Sequence, residues 1–430
     1  MSDDKFDVIV VGAGFAGATA ARDLGESGKR VLVLEARDRV GGRTWAKPVG
    51  DGTKKLEMGG GYFLPASVHP LVNAEIDRYG KKLLGMSAPA ERYIWDLDGE
   101  VIHGFPLPMD EIGGLEEAIH RIKTDCERIT FGQELSEDLA DLDISAAEYF
   151  ASVGAGPKLQ DLLTLFAGLI SGGKAEDSSA LYLLWKVAGL GNSPWAYFEA
   201  FGRKLEGGTT SLVEAILADS GADVRLETPI ARVVQDDSGV TVTTVAGESF
   251  TADRAIVAVP VNCWEDIEFS PALSPQKQQM AEEKHMSRAR KVWAVLENVP
   301  PTIMMGSSPD QFSAVMADSR WGEGVLHCCF KSVAADLPGV TPEIVQDQMS
   351  RTMPEAQVTE VFTHDWNVDP YAKGAMIAHR KGRVLALMDA IRRPEGRLAF
   401  AGSDVSSTYT SWIEGAVESG HATARWAARA

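Results

Sequence analysis

The apolar positions change their spacing several times along the chain, and each change marks an element. Asp7-Val-Ile-Val-Val11 is short, β-branched and almost unbroken by polar residues, which predicts a parallel strand covered on both faces. The alanine-rich stretch from Ala16 to Glu26 predicts a helix ending near Gly28, and Lys29 to Glu35 predicts a second parallel strand. Between 80 and 200 helical spacing dominates, most clearly over Asp110–Arg128 and Ala146–Gly173. Short β-rich runs follow at Asp223–Leu226, Ile230–Gln235 and Val240–Val245, as expected of a small β-meander. Arg254–Pro260, Val292–Leu296 and Gly324–Phe330 are further strand-like runs, and Arg397–Asp404 is a strand ending in a glycine and an acid. Ser411-Trp-Ile-Glu414 has the capping-box pattern and predicts a last helix, whose packing face carries Ile413, Ala416, Val417 and Gly420.

Strand, helix and strand within the first 35 residues place the chain in the α/β class. Its 430 residues exceed one ordinary core of roughly 100 to 200 residues, so two lobes are expected. No repeat, low-complexity tract or Pro/Ser-rich linker marks a sequential boundary. The lobes are therefore expected to interleave, one from 1–79, 200–290 and 388–430, the other from 80–199 and 291–387.

Composition narrows the classes of partner. With 42 basic and 61 acidic residues the formal charge is −19, which repels phosphate backbones and anionic lipid and argues against nucleic acid. No apolar run approaches the ~20 residues of a membrane span, and the acidic opening MSDDKF is unlike a signal peptide. The four cysteines, Cys126, Cys263, Cys328 and Cys329, lack metal-ligand spacing and are too sparse for a disulfide framework, so a cytoplasmic protein is expected. His327, Cys328 and Cys329 are adjacent, but alternation in a strand sends neighbours to opposite faces, and no metal is assigned.

Candidate chemistry begins with Gly12-Ala-Gly14-Phe-Ala-Gly17, placed between the first strand and its helix. Gly12 permits the tight turn, Gly14 lets backbone approach a pyrophosphate, and Gly17 lets helix and strand pack closely. The helix start adds N–H groups and positive dipole. Glu35 ends the second strand about 20 residues further on, where a carboxylate accepts hydrogen bonds from a ribose. Together they predict a bound adenine dinucleotide.

Glu35-Ala-Arg-Asp-Arg-Val-Gly-Gly-Arg43 resembles the second fingerprint of the flavin amine oxidase family, in the wider glutathione-reductase-like class. Leu56-Glu-Met-Gly-Gly-Gly-Tyr62 is similar to the family's segment beside the isoalloxazine ring. GSDVSSTYTSWIEGAVESG, from 402 to 420, is similar to its carboxyl-terminal flavin motif. The resemblance spans nearly the whole chain. It implies a two-lobed flavoprotein with a Rossmann-like FAD domain and an interleaved α+β substrate domain. FAD would be held by Gly12, Gly14, Gly17, Glu35, Arg37, Gly42, Arg43, Gly59, Gly60, Val233, Asp404 and Ile413. Physically, Arg43 can neutralise pyrophosphate, Asp404 would bind the ribityl hydroxyls, and the Ile413 amide would reach the flavin O2 at a helix start. Arg39 reads equally as a solvated residue, and Val233 equally as a plain strand valine.

The resemblance also implies catalytic positions. Lys291 matches the lysine that holds water against the flavin, Trp412 matches the second aromatic that frames the amine, and Tyr62 would face the substrate. A core tyrosine and a surface lysine are the plain alternatives for Tyr62 and Lys291. Two residues beyond Gly374, where an aromatic is usual, stands Met376, which can pack on a hydrophobic substrate but has no π face. Ala375 occupies the place of the cysteine that tethers flavin in some members, so the FAD is expected to be noncovalent. Around Ala167–Ile170 no polar side chain matches the asparagine that some members present to substrate. The implied activity is oxidation of a small primary or secondary amine, cyclic or aromatic amines among them, by hydride transfer to flavin with O2 as acceptor and H2O2 as product. A non-oxygen acceptor and a redox-neutral flavin reaction are the alternatives. Relatives imply a homodimer.

Overall fold

The computed structural model describes residues 5–308, 311–332 and 339–429, without the side chains of 198–200. The first strand, Phe6–Val11, lies inside an eight-stranded sheet. It pairs in parallel with Val31–Leu34 on one side and with Ser249–Val257 on the other. Successive side chains alternate between two cores, which is why the run is apolar without interruption. Val8 and Val10 pack with the helices Phe15–Glu26, Thr209–Ser220 and Ile413–Ala428, whereas Ile9 and Val11 pack with Trp264, Ile391 and Phe400.

The sheet explains one departure from the sequence reading. Asp223–Arg225 does not join a meander but runs parallel to Val31–Leu34 at the sheet edge. Ile230–Asp236, Gly239–Thr244 and Ser249–Val257 form the antiparallel hairpins alone. Ser249–Val257 then switches partner. Its first half pairs with Gly239–Thr244 and its second half in parallel with Leu398–Phe400, bringing the carboxyl end into the sheet.

A second, seven-stranded sheet takes Gln357–Thr363, Arg290–Glu297, Gly324–Lys331, Ala314–Trp321, Thr302–Gly306, Arg92–Leu97 and Glu100–His103 in that order. The last two strands fall where helices were expected. Their signal is the Asp98-Gly99 turn, with φ of 49° and 79°, between short runs rich in aromatic and β-branched residues, Tyr93-Ile-Trp95 and Val101-Ile102. The helical stretch 146–173 is likewise two helices, Ala146–Ser152 and Pro157–Ser171. Gly154, at φ 75°, ends the first, and Pro157 opens the second.

The capping-box expectation at Ser411 is also corrected. The N-cap of Ile413–Ala428 is Trp412, with no side-chain cap, and Ser411 sits at φ 67°. Its hydroxyl accepts from Lys186 Nζ, and Glu414 accepts from the amides of Leu71 and Val72 at the start of Pro70–Arg78. The same S-x-x-E spacing does form a capping box at Ser145 and Glu148, where no neighbouring element competes for either side chain.

Two contacts tie the ends of the chain together. A Cβ on Gly17 would lie 1.9 Å from the Gly12 carbonyl oxygen, and one on Gly420 would lie 2.6 Å from that of Ala16. First strand, first helix and last helix are therefore stacked at backbone contact. Gly420→Ala is expected to force the helices apart and cost roughly 1–3 kcal/mol, read as lower stability in chemical denaturation; unchanged stability would show that the contact relaxes freely.

Candidate active site

Loops from both sheets and the starts of two helices enclose a cavity of about 630 Å³. Gly12, with φ 106°, is held so close to Ala258 that a Cβ would meet its carbonyl oxygen at 2.6 Å. Gly14 is the N-cap of Phe15–Glu26 and supplies no side-chain cap, so the first-turn amides face the cavity without a side-chain acceptor. Glu35, 3% exposed, accepts from the Ala13 amide at 2.8 Å and the Arg37 amide at 3.0 Å, which fixes its carboxylate at the cavity wall. Arg37 is in turn paired with Asp369, which also binds His364 at 2.8 Å. Arg39 turns back onto the Val40 and Gly42 carbonyls and stacks on Trp45.

The start of Ile413–Ala428 is the second uncapped helix end on this cavity. Near it, Arg43 forms an ion pair with Asp404 at 2.8 Å, and Asp404 also accepts from the Val261 amide at 3.2 Å. Burial alone would raise the Asp404 pKa, but Arg43 and His285 outweigh it and hold the group below the usual carboxylate value.

Lys291 opens the strand pair that faces Gly59. Its Nζ donates to the Gly59 carbonyl and lies 5.0 Å from the centre of the Tyr62 ring, with Trp293 and Phe330 also close. Burial pushes the Lys291 pKa down and that of Tyr62 well up. The segment Met58–Gly61 between them is positioned by two indoles: Trp366 donates to the Met58 carbonyl at 3.0 Å, and Trp293 to that of Glu57 at 2.9 Å. Glu57 itself caps Thr209–Ser220 through the Thr209 amide and hydroxyl.

Of the residues singled out in the sequence, Gly12, Gly14, Glu35, Arg37, Gly42, Arg43, Gly59, Gly60, Tyr62, Lys291, Met376, Trp412 and Ile413 line this one cavity. Three stand apart from its wall. Gly17 acts on packing, as above. Asp404 engages Arg43, while its neighbours Gly402 and Ser403 form the wall. Val233 is buried in the core of the first sheet, and Ile230, three residues earlier, reaches the cavity instead. Sequence reading missed Lys186, Tyr197, Phe201 and Phe330, which complete the wall beside Trp412 and Tyr62. The signal for Lys186 is a lone charge inside the apolar helix Ala180–Ala188; the aromatic residues carry none beyond their type.

The arrangement fits FAD. Two uncapped helix starts, a carboxylate fixed at a strand end and glycines at Gly12, Gly14, Gly59 and Gly60 suit a long ligand with a pyrophosphate and an electron-accepting ring. Among the described residues no group of three or more His, Cys, Asp or Glu could hold a metal, and no helix is long and apolar enough to cross a membrane. His327 sits between the Val325 carbonyl and the Thr302 amide.

A dinucleotide-type sheet with this cavity defines a two-domain flavoenzyme of the amine oxidase fold. The model for flavin containing amine oxidoreductases matches residues 15–427, and the chain belongs to that family. It is 32% identical to (S)-6-hydroxynicotine oxidase of Paenarthrobacter nicotinovorans, covering 96% of this chain and 97% of that one. It is 31% identical to pseudooxynicotine dehydrogenase of a Pseudomonas species, covering 97% and 85%. A structure of putrescine oxidase bound to putrescine has the same fold, with a TM-score of 0.87 at 24% identity over 98% of each chain. The chain is thus a flavin enzyme acting on amines.

Arg43→Met would leave Asp404 buried without its cation, and a loss on the order of 3 kcal/mol is expected at pH 7. Because Arg43 holds the Asp404 pKa down, its contribution is present above the carboxyl's unfolded pKa and disappears as pH falls through the folded one. The gap between variant and wild type in urea denaturation should therefore shrink as pH drops below about 4; a gap independent of pH would refute the pairing as its cause.

Proposed function

We propose that the protein is an FAD-dependent oxidase of a small primary or secondary amine and holds its flavin noncovalently. FAD, when bound, would supply a two-electron acceptor for a hydride of the amine α-carbon, with O2 as the final oxidant and H2O2 as its product. The observation that carries the reading is Lys291, a buried lysine whose Nζ sits on the Gly59 carbonyl between aromatic rings in the cavity wall. With its pKa lowered by burial, this amine can position water and exchange a proton without a permanent buried charge. Trp412 and Met376 would flank the substrate, in a wall that Tyr62 and Phe201 continue through their edge-on ring contact. Ala375 offers no thiol for a flavin tether.

An aromatic or cyclic amine is the substrate class we favour, supported by the ring-rich wall and by the likeness to (S)-6-hydroxynicotine oxidase. The likeness to pseudooxynicotine dehydrogenase supports a second reading, in which another acceptor replaces O2. The division into lobes at 79/80, 199/200, 290/291 and 387/388 is supported by the two sheets, whose strands largely separate along those lines. We also take the protein as a cytoplasmic homodimer, a reading that the four buried free cysteines suit as regards compartment.

Anaerobic mixing with an amine panel should bleach the bound flavin, and admission of oxygen should restore its colour with stoichiometric peroxide. Bleaching without fast reoxidation would replace the oxidase by the dehydrogenase, and no bleaching with any amine would end the proposal. Lys291→Met is expected to retain FAD and to slow flavin reduction or reoxidation by about 10²-fold or more; unchanged kinetics would remove Lys291 from the mechanism.

A further inference from the structure

Lys186 is the one charged residue of the helix Ala180–Ala188 and is 5% exposed. It lines the cavity beside Leu169, Tyr197 and Trp412. Its Nζ donates to Ser411 Oγ at 2.6 Å and to the Ile170 carbonyl at 3.4 Å. An ammonium has three donors, so one N–H is left without a protein acceptor among the described residues. Among these residues no carboxylate lies within 4.0 Å of it, and it stands 5.4 Å from the centre of the Tyr182 ring. A buried cation without a counter-charge is costly, and burial lowers this pKa to about 7. A leucine would fill the same space; what lysine adds is a donor and a positive charge facing a cavity whose neighbouring wall, Tyr62, Phe201, Phe330 and Lys291, carries no acid.

We propose that Lys186 is a specificity-determining residue, whose unused N–H binds an oxygen acceptor, carboxylate or carbonyl, on the part of the substrate remote from the amine. This rests on the amine oxidase reading and refines it: amines that carry such an oxygen are favoured, and diamines, whose second ammonium would meet Lys186, are disfavoured. The alternative for Lys186 is a strut that only holds the turn at Tyr409 and Ser411, both at positive φ.

The test is a binding titration of the holoenzyme, followed by perturbation of flavin absorbance, with benzoate, acetophenone and toluene. Wild type should bind benzoate or acetophenone at least about tenfold tighter than toluene, and the ligand that shows the preference identifies the oxygen. Lys186→Met should abolish the ratio between oxygen-bearing ligand and toluene, and Lys186→Arg should retain most of it. Should Lys186→Met not accumulate as holoenzyme, Lys186→Gln serves in its place, with a neutral side chain expected to lose the benzoate preference. A wild type without preference, or a preference that survives loss of the lysine, overturns the proposal, as does an equal weakening of all three ligands, which is the mark of a strut. Because no turnover is needed, the result is separable from the amine panel: a Lys186-dependent preference alongside no flavin bleaching rejects the oxidase and keeps the subsite.

Discussion

Backbone contact between the first strand, the first helix and the last helix is the constraint on which the rest depends. Gly17 brings the helix Phe15–Glu26 onto the Gly12 carbonyl, and Gly420 brings the helix Ile413–Ala428 onto Ala16. Neither approach tolerates a Cβ in place. Once both are made, two helix N-termini from opposite ends of the chain open on one cavity, each lacking a side-chain cap. Uncapped amides at the positive end of a helix favour negative charge on a ligand. The fold thereby builds this side of the cavity largely from backbone, with Arg43 and Glu35 adding charge beside the glycines.

The cavity's other wall is positioned from the second sheet. Trp293 and Lys291 belong to the strand Arg290–Glu297, and both reach across to carbonyls of the segment 57–59. Trp366 reaches the same segment from the loop after Gln357–Thr363. Three donors on the second sheet and its loops thus hold one glycine-rich segment of the first lobe. This is how a segment with so little side chain is held in place. It also couples the lobes at the place where the chemistry is proposed, rather than at a distant hinge.

The first fifty residues were legible because local and long-range demands coincide there: apolar run, glycine turn and strand-end acid each have one physical solution. The hairpin at Asp98-Gly99 was missed, because helical spacing further along masked its turn signal. Ser411 and Glu414 show the limit of local reading. Their spacing is that of a capping box, but Lys186 takes the hydroxyl and the start of Pro70–Arg78 takes the carboxylate. Partners brought in from distances of hundreds of residues outbid a local bond of about 1 kcal/mol. Lys186 carried a signal that local reading does not resolve. A lone lysine in an apolar helix reads as snorkelling to the surface, and only the tertiary structure shows that its end is enclosed.

Away from the Arg43–Asp404 pair, burial dominates the electrostatics of the cavity wall. Burial raises the pKa of Glu57 and lowers those of Lys291 and Lys186, so acid and bases alike are driven toward their uncharged forms. Lys291 and Glu57 are close enough to favour each other's charge, yet desolvation outweighs that attraction for both. An incoming alkylamine is a cation in water and meets the same environment. The wall beside Tyr62 and Trp412 offers it aromatic faces and no acid among the described residues. Burial that lowers the pKa values of both lysines lowers that of an amine placed beside them as well, which favours its neutral form. The lowered lysine pKa values thus follow from the burial of both side chains in this largely apolar wall between Met58–Gly61 and the start of the last helix.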